Sequence, residues 1–135
     1  MTSATLLQEH GIRPSAQRVL VLDYLRSVHT HPSADTIYCA LLRENPGLSR
    51  TTVYNTLELF AQKGLALSLD FGEGFQRFDG MTVPHTHCKC VQCGSVSDIS
   101  ATPEGCEKML PKGGALSSAQ LYLFGLCPAC NKATK

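Results

Sequence analysis

At 135 residues, 43% of them hydrophobic, the chain has the length and composition of a packed globular protein, which excludes a disordered one. Lys and Arg number 12 against 11 for Asp and Glu, a formal charge of +1, so neither a polybasic tail nor an acidic solvating chain is present and any nucleic-acid affinity must come from local charge placement. No run approaches the ~20 apolar residues of a membrane span, and MTSATLLQEH has no basic stretch leading into an apolar one, which points to a soluble, cytoplasmic protein without a membrane partner.

In chain order, residues 3–10 predict a short helix stopped by Gly11. The next helix opens at Pro14-Ser15 and runs to about Val28, with Leu20, Val21, Tyr24, Leu25 and Val28 at helical spacing. Pro32-Ser33 opens a third, whose Ile37, Leu41 and Leu42 form one stripe before Asn45-Pro46-Gly47 ends it. Ser49 caps a fourth, residues 50–63 with Gly64 as its stop, burying Val53, Leu57, Phe60 and Ala61. After Gly64 the period becomes two: Leu65, Leu67, Leu69 and Phe71 alternate with Ala66, Ser68 and Asp70, and Gly72-Glu73-Gly74 turns the chain into a second strand, residues 75–79. Helices followed by a small hairpin predict a winged helix-turn-helix.

Composition changes near residue 80, beyond which lie all of the seven cysteines except Cys39. The expected boundaries are a DNA-binding winged-helix domain over residues 1–80, a linker over 81–84 and a second domain over 85–135. In the second domain the pattern predicts strands over 85–90, 96–99 and 120–126 and a short helix after Pro103. The fold class is α+β. About fifty residues seldom make a stable core without a metal or a partner chain, so the second domain is read as a small α/β dimerisation domain stapled by a zinc site.

The zinc expectation rests on two C-x-x-C pairs, Cys90/Cys93 and Cys127/Cys130. Each pair puts two thiolates on one turn, and two pairs complete a tetrahedral structural Zn2+ site. Cys127-Pro128-Ala129-Cys130 also has the form of a redox motif, but that chemistry needs a helix after its first cysteine, and the few residues left leave no room for a useful one. Cys88 shares strand parity with Cys90, on the zinc side and opposite His85 and His87; it reads as a small buried hydrophobe or a spare ligand. Cys39 and Cys106 lie in predicted helices, where burial is expected.

His85 and His87 alternate along one strand, so both imidazoles project from one face at a separation suited to a single ion. Asp79 just upstream and Asp98 on the following strand offer oxygen ligands, and His31 could reach in from the first domain. The alternative is a set of ordinary solvated polar residues.

Four segments together, H-T-H-C-K-C-V-Q-C-G (85–94), R-F-D (77–79), S-R-T-T-V-Y (49–54) and L-Y-L-F-G-L-C-P-A-C (121–130), resemble the ferric uptake regulator family over nearly the whole chain. The resemblance implies a regulatory metal held by His31, Asp79, His85, His87 and Asp98, and structural zinc on Cys90, Cys93, Cys127 and Cys130. Within the family the sequence is similar to the peroxide-stress (PerR-type) repressors, because iron sensors usually carry glutamate where Asp98 stands. That branch implies regulatory Fe2+ or Mn2+ and derepression when peroxide oxidises a histidine ligand, mapping to His31 or His85, to 2-oxo-histidine. Pro84, Thr86 and Ala119 occupy positions that often hold an additional metal in the family, which argues against a third ion. Cys88 keeps a zinc-responsive reading open, beside the iron-responsive one.

A recognition helix starting at Arg50 would carry DNA contacts in its first turns: Arg50 to phosphate or guanine, Thr51 and Thr52 to phosphate, Tyr54 to thymine methyls and Asn55 to a base or the backbone. Arg13 and Arg18 are further phosphate candidates, and Arg77 would lie along a groove from the wing. Glu58, one turn past Tyr54, would repel phosphate and confine the contact to the first two turns. One helix reads few base pairs, so a homodimer on a palindromic double-stranded operator is the geometric expectation, with metal fixing the angle between the two domains. A metal hydrolase is a rival reading of His, His and Asp around an ion, but it leaves the helix-turn-helix unexplained and supplies no general base once the aspartates are ligands. The expectation is therefore a repressor and not an enzyme.

Overall fold

Each helix of the first half begins at a hydroxyl. Thr2, Ser15, Ser33 and Ser49 precede α1 (Ser3–Glu9), α2 (Ala16–Ser27), α3 (Ala34–Leu42) and α4 (Arg50–Gln62), and each side chain accepts the N–H three residues on, from Thr5, Arg18, Thr36 and Thr52. The computed structural model describes residues 1–82, 86–99, 105–116 and 119–133, and the chain divides into two compact units, Met1–Thr82 and Val83–Lys135.

In the first unit the helices close on a core whose fully buried members are Leu7, Val21, Leu22, Leu25, Ile37, Val53, Leu57 and Phe60. The stripes differ in detail from the predicted ones. On α2 Leu22 is buried while Leu20 and Tyr24 are half-buried. On α4 Thr56 is buried and Ala61 only half-buried, because Thr56, three residues from Val53 and four from Phe60, lies in the middle of the inward face despite its hydroxyl. Phe60→Ala is expected to cost the first unit about 3–5 kcal/mol, as for other aromatic truncations in packed cores, and thermal denaturation monitored by circular dichroism measures it.

The hairpin is shorter than the alternation predicts: β1 (Leu67–Leu69) pairs antiparallel with β2 (Arg77–Asp79), Leu67 opposite Asp79. Leu65 and Ala66 stay out of the strand because their N–H groups return to the Phe60 carbonyl, at 2.8 and 3.3 Å, closing the end of α4. The wing turn places Gly72 and Gly74 at φ of 77° and 86°, a left-handed backbone that glycine adopts without strain. A second tie anchors the hairpin, since Phe78 N–H donates to the Pro32 carbonyl at 2.8 Å and Arg77 bridges Ser33. Three helices closing on α4 with a two-stranded wing make a winged helix-turn-helix, as the pattern predicts.

The second unit holds a three-stranded sheet in the order β4-β3-β5, from β3 (Thr86–Cys90), β4 (Val96–Ile99) and β5 (Leu121–Gly125). β3 runs antiparallel to β4, with His87 opposite Asp98, and parallel to β5, with Cys90 opposite Gly125. A 3-10 turn at Cys106–Met109 is the described part of the predicted short helix; Pro103 lies outside the described residues. A correction concerns the C-terminal end, where α5 (Pro128–Ala133) does form after Cys127. Pro128 sits at its first position, where the missing N–H costs nothing.

Among the described residues of this unit only Thr86, His87 and Cys90 are buried. Leu121, Leu123, Phe124, Leu126 and Ile99 are all at least 36% exposed. Among the described residues, one copy of the unit therefore has almost no apolar core of its own. No described helix of either unit is long and apolar enough to cross a membrane.

Candidate functional site

The end of β3, the β3–β4 turn and the β5–α5 junction converge on four sulfurs. Cys90 closes β3, the Val91 N–H donates to the Gly125 carbonyl at 2.8 Å, and beyond β5 Cys127 immediately precedes α5 while Cys130 lies in its first turn. The ligating atoms of Cys90, Cys93, Cys127 and Cys130 lie within 4.8 Å of one another, and Cys93 Sγ is 3.8 Å from Cys127 Sγ. Tetrahedral zinc with bonds of about 2.3 Å separates its sulfurs by about 3.8 Å, so the residues fit that ion. Protonation points the same way. The Cys90 thiol is lowered to about 6, first by the Cys93 backbone N–H, whereas Cys130 is pushed up to about 12, first by its hydrogen bond with the Cys127 sulfur. Sulfurs this close cannot all become thiolates without a cation among them.

Cys88 is half-buried and lines the same cavity as Cys90 and Cys127, of about 320 Å³, but it is not one of the clustered sulfurs. Cys106 is half-buried. Cys39 corrects the expectation of burial: it is exposed, because it stands two residues past Ile37 and so on the opposite side of α3.

Each unit also holds one buried imidazole facing a carboxylate. In the first, His31 is 2% exposed and its Nε2 lies 3.4 Å from Asp79 Oδ2, at the end of β2. In the second, His87 is 1% exposed and its Nε2 lies 3.6 Å from Asp98 Oδ1, across the β3–β4 register. These separations exceed a normal N–H···O bond, whereas two ligands on one ion with bonds of about 2.1–2.2 Å stand about 3.0–3.6 Å apart. The mixed nitrogen and oxygen donors suit Fe2+ or Mn2+. His85 lies outside the described residues. His31 is, among the described residues, the single non-glycine with positive φ, at 56°. That left-handed conformation is uncommon outside glycine, although histidine adopts it more readily than most residues.

The residues expected to meet DNA gather at the start of α4. Thr51, Tyr54 and Asn55 are exposed, and Thr52 is half-buried, its hydroxyl 2.7 Å from that of Ser49 in the helix cap. A groove joins Thr52 and Asn55 to Arg18 at the start of α2, and a second joins Tyr54 and Asn55 to Phe75 in the wing. Arg13 is exposed, and its carbonyl accepts the Arg18 guanidinium at 2.8 Å. Arg50 pairs with Asp35 while stacking 4.8 Å above the Tyr38 ring, and Asp35 also hydrogen-bonds the Tyr54 hydroxyl, raising its pKa.

Arg77, expected to lie along a DNA groove, is engaged within the first unit. Its Nε and Nη2 donate to the two Glu73 carboxylate oxygens at 2.8 and 2.9 Å, its Nη1 donates to the His31 carbonyl at 3.3 Å, and the Phe75 ring covers it at 5.6 Å. A charge so engaged, with 20% of the side chain exposed, faces inward. Asp35 and Glu73 are the functional neighbours that sequence reasoning missed. Glu73 and Arg77 lie in the wing turn and β2 and not on a helix, so their spacing carried no pairing signal, and Asp35 likewise meets Arg50 and Tyr54 only through the fold.

The model of the ferric uptake regulator family matches residues 9–123. The chain is 36% identical over 129 residues to the peroxide operon regulator of Bacillus subtilis, covering 93% of this chain and 89% of that one. Among solved structures it is similar to the ferric uptake regulator of Pseudomonas aeruginosa with manganese, at a TM-score of 0.76 and 27% identity over 95% of this chain and 99% of that one. The Campylobacter jejuni peroxide stress regulator matches with a TM-score of 0.73 and 26% identity over 96% of this chain and all of that one (100%). A winged helix followed by a sheet with four clustered sulfurs, over this extent of similarity, places the chain in the ferric uptake regulator family.

Proposed function

We propose that this protein is a metal-dependent DNA-binding repressor that responds to peroxide, acting as a cytoplasmic homodimer and not as an enzyme. The observation that carries the reading is the pair of half-sites, His31 with Asp79 and His87 with Asp98, each spaced as two ligands of one ion. In this reading the two pairs and His85 hold one regulatory Fe2+ or Mn2+, while Cys90, Cys93, Cys127 and Cys130 hold structural Zn2+. The similarity to peroxide regulators of B. subtilis and C. jejuni supports peroxide as the signal, and Asp98 supports it over the iron-responsive reading. Cys88, on the zinc side of β3 and outside the sulfur cluster, gives the zinc-responsive reading no ligand facing His87.

Arg13, Arg18, Arg50, Thr51, Thr52, Tyr54 and Asn55 are the proposed DNA contacts. Asp35 orients Arg50 and Tyr54 for them. The apolar residues left exposed on and beside β5 support pairing of two second units, which would present two recognition helices to a palindromic operator. Metal contributed to from both sections of the chain would favour one arrangement of the reading heads, and so raise operator affinity.

An Fe2+ held by His31, Asp79, His85, His87 and Asp98 would supply the redox chemistry that reduces peroxide, which Mn2+ hardly does. Net, one peroxide oxygen would be added to the His31 or His85 imidazole and the other released as water, and the resulting 2-oxo-histidine is a poor donor. After brief exposure of the iron-loaded protein to dilute peroxide, mass spectrometry is expected to find one added oxygen on the His31 or His85 peptide, with loss of binding to an operator selected from random duplex DNA. The manganese form should stay unmodified and bound. Unmodified histidines with retained DNA binding in the iron form would refute peroxide sensing. A zinc-specific gain in operator affinity, indifferent to peroxide, would instead identify a zinc-responsive repressor.

A further inference from the structure

Arg77 lies at the centre of a network that joins the wing to the metal loop within the first unit. Glu73 belongs to the wing turn between two left-handed glycines, and both its oxygens are taken by the Arg77 guanidinium. The remaining nitrogen of that guanidinium reaches the His31 carbonyl, 46 residues away in sequence. On either side of this bond the two segments are fastened again, by the Ser33–Arg77 bridge and by the Phe78 N–H on the Pro32 carbonyl. His31 keeps a left-handed backbone that L residues rarely adopt, and in that conformation its Nε2 faces Asp79 Oδ2. Both charged side chains are largely shielded, 20% and 14% exposed, so the pair is part of the interior and not a solvated surface bridge.

We infer that Arg77 is a positioning residue for the regulatory metal: held by Glu73, it fixes the His31 carbonyl and thereby keeps the His31 imidazole where it can act as a ligand. The inference rests on the proposed role of His31 and extends it to two residues that touch no metal. It also gives metal and DNA a link inside one unit. An operator that orders the wing turn steadies Glu73 and Arg77, which steadies His31, and by reciprocity metal at His31 steadies the wing. Lysine substitutes only in part, because the planar fork is needed to engage a carboxylate with two nitrogens and a carbonyl with the third.

The test is titration of the full-length, zinc-loaded protein with Mn2+, for wild type, Arg77→Ala, Arg77→Lys, Glu73→Gln, His31→Ala and the double variant His31→Ala/Arg77→Ala. Loss of an outer partner of a ligand typically weakens metal affinity about 10–100-fold, so Arg77→Ala is expected to fall in that range, with Arg77→Lys and Glu73→Gln recovering only part of the loss. In the His31→Ala background, removing Arg77 should change nothing further. An equal additional loss in that background would show general destabilisation and overturn the positioning role, as would undiminished affinity in Arg77→Ala. Should Arg77→Ala fail to fold, Glu73→Gln, alone and combined with His31→Ala, carries the same comparison. Unchanged Mn2+ affinity in His31→Ala would overturn both this inference and the ligand role it rests on, whereas failure at Arg77 alone leaves the ligand role standing.

Discussion

Cys127→Ser is expected to empty the zinc site, unfold the second unit and leave the first unit folded. The described part of the second unit buries only Thr86, His87 and Cys90, so apolar burial contributes little there, and the sheet is closed instead where Cys90, Cys93, Cys127 and Cys130 meet. Structural zinc binding supplies about 10–16 kcal/mol in small zinc-dependent folds at neutral pH, comparable to the whole stability of an ordinary domain. The first unit has its own core around Leu57 and Phe60 and does not depend on the sulfurs. Zinc content by atomic spectrometry should fall below about a tenth of full occupancy, calorimetry should lose one transition and keep the other, and sedimentation should show a monomer. Cys39→Ser and Cys88→Ser serve as controls and should retain zinc, since neither sulfur belongs to the cluster. A Cys127→Ser protein with full zinc and both transitions intact would remove the metal from the account of this unit's stability.

What the sequence discloses and what it conceals divide along a physical line. Caps and sulfur pairs are local: Ser15, Ser33 and Ser49 announce helices because a hydroxyl meets an N–H three residues on, and C-x-x-C pairs two thiolates on one turn. The position of Thr56 in the α4 core is equally local, but polarity disguised it. For Cys39 the small apolar side chain favours burial, whereas the turn geometry of α3 aims it outward. The helix after Cys127 was hidden by counting the few residues that follow, when a proline start and six residues suffice for a turn and a half. For Arg77, nothing local distinguishes a wing arginine that reaches DNA from one that turns inward. The choice depends on the His31 loop, which only the tertiary fold brings beside it.

His87→Ala is expected to abolish the response of operator affinity to metal while sparing zinc and the basal affinity of the metal-free protein. In wild type, Mn2+ should tighten operator binding about 5–150-fold, the range of ordinary coupling free energies of 1–3 kcal/mol. His87 is the better probe of the second half-site, because it is fully buried on β3 with Asp98 directly opposite it on β4, so its replacement removes a donor and leaves no mobile substitute. Because His87 is also one of the few buried residues of its unit, Asp98→Asn gives an independent version: the side chain is partly open, the shape is kept, and only the anionic donor is lost. Both variants should reduce the metal effect to about onefold, measured by fluorescence anisotropy at fixed salt, since phosphate contacts make any DNA affinity salt-dependent. Their basal binding should match wild type, because the proposed DNA contacts on α4 belong to the other unit and its Asp35–Arg50 pair is untouched. If both variants kept the full metal response, His87 and Asp98 would be a structural pair and the regulatory ion would have to be sought elsewhere in the chain; if both lost basal affinity as well, the pair would support the fold of the second unit and not its switch.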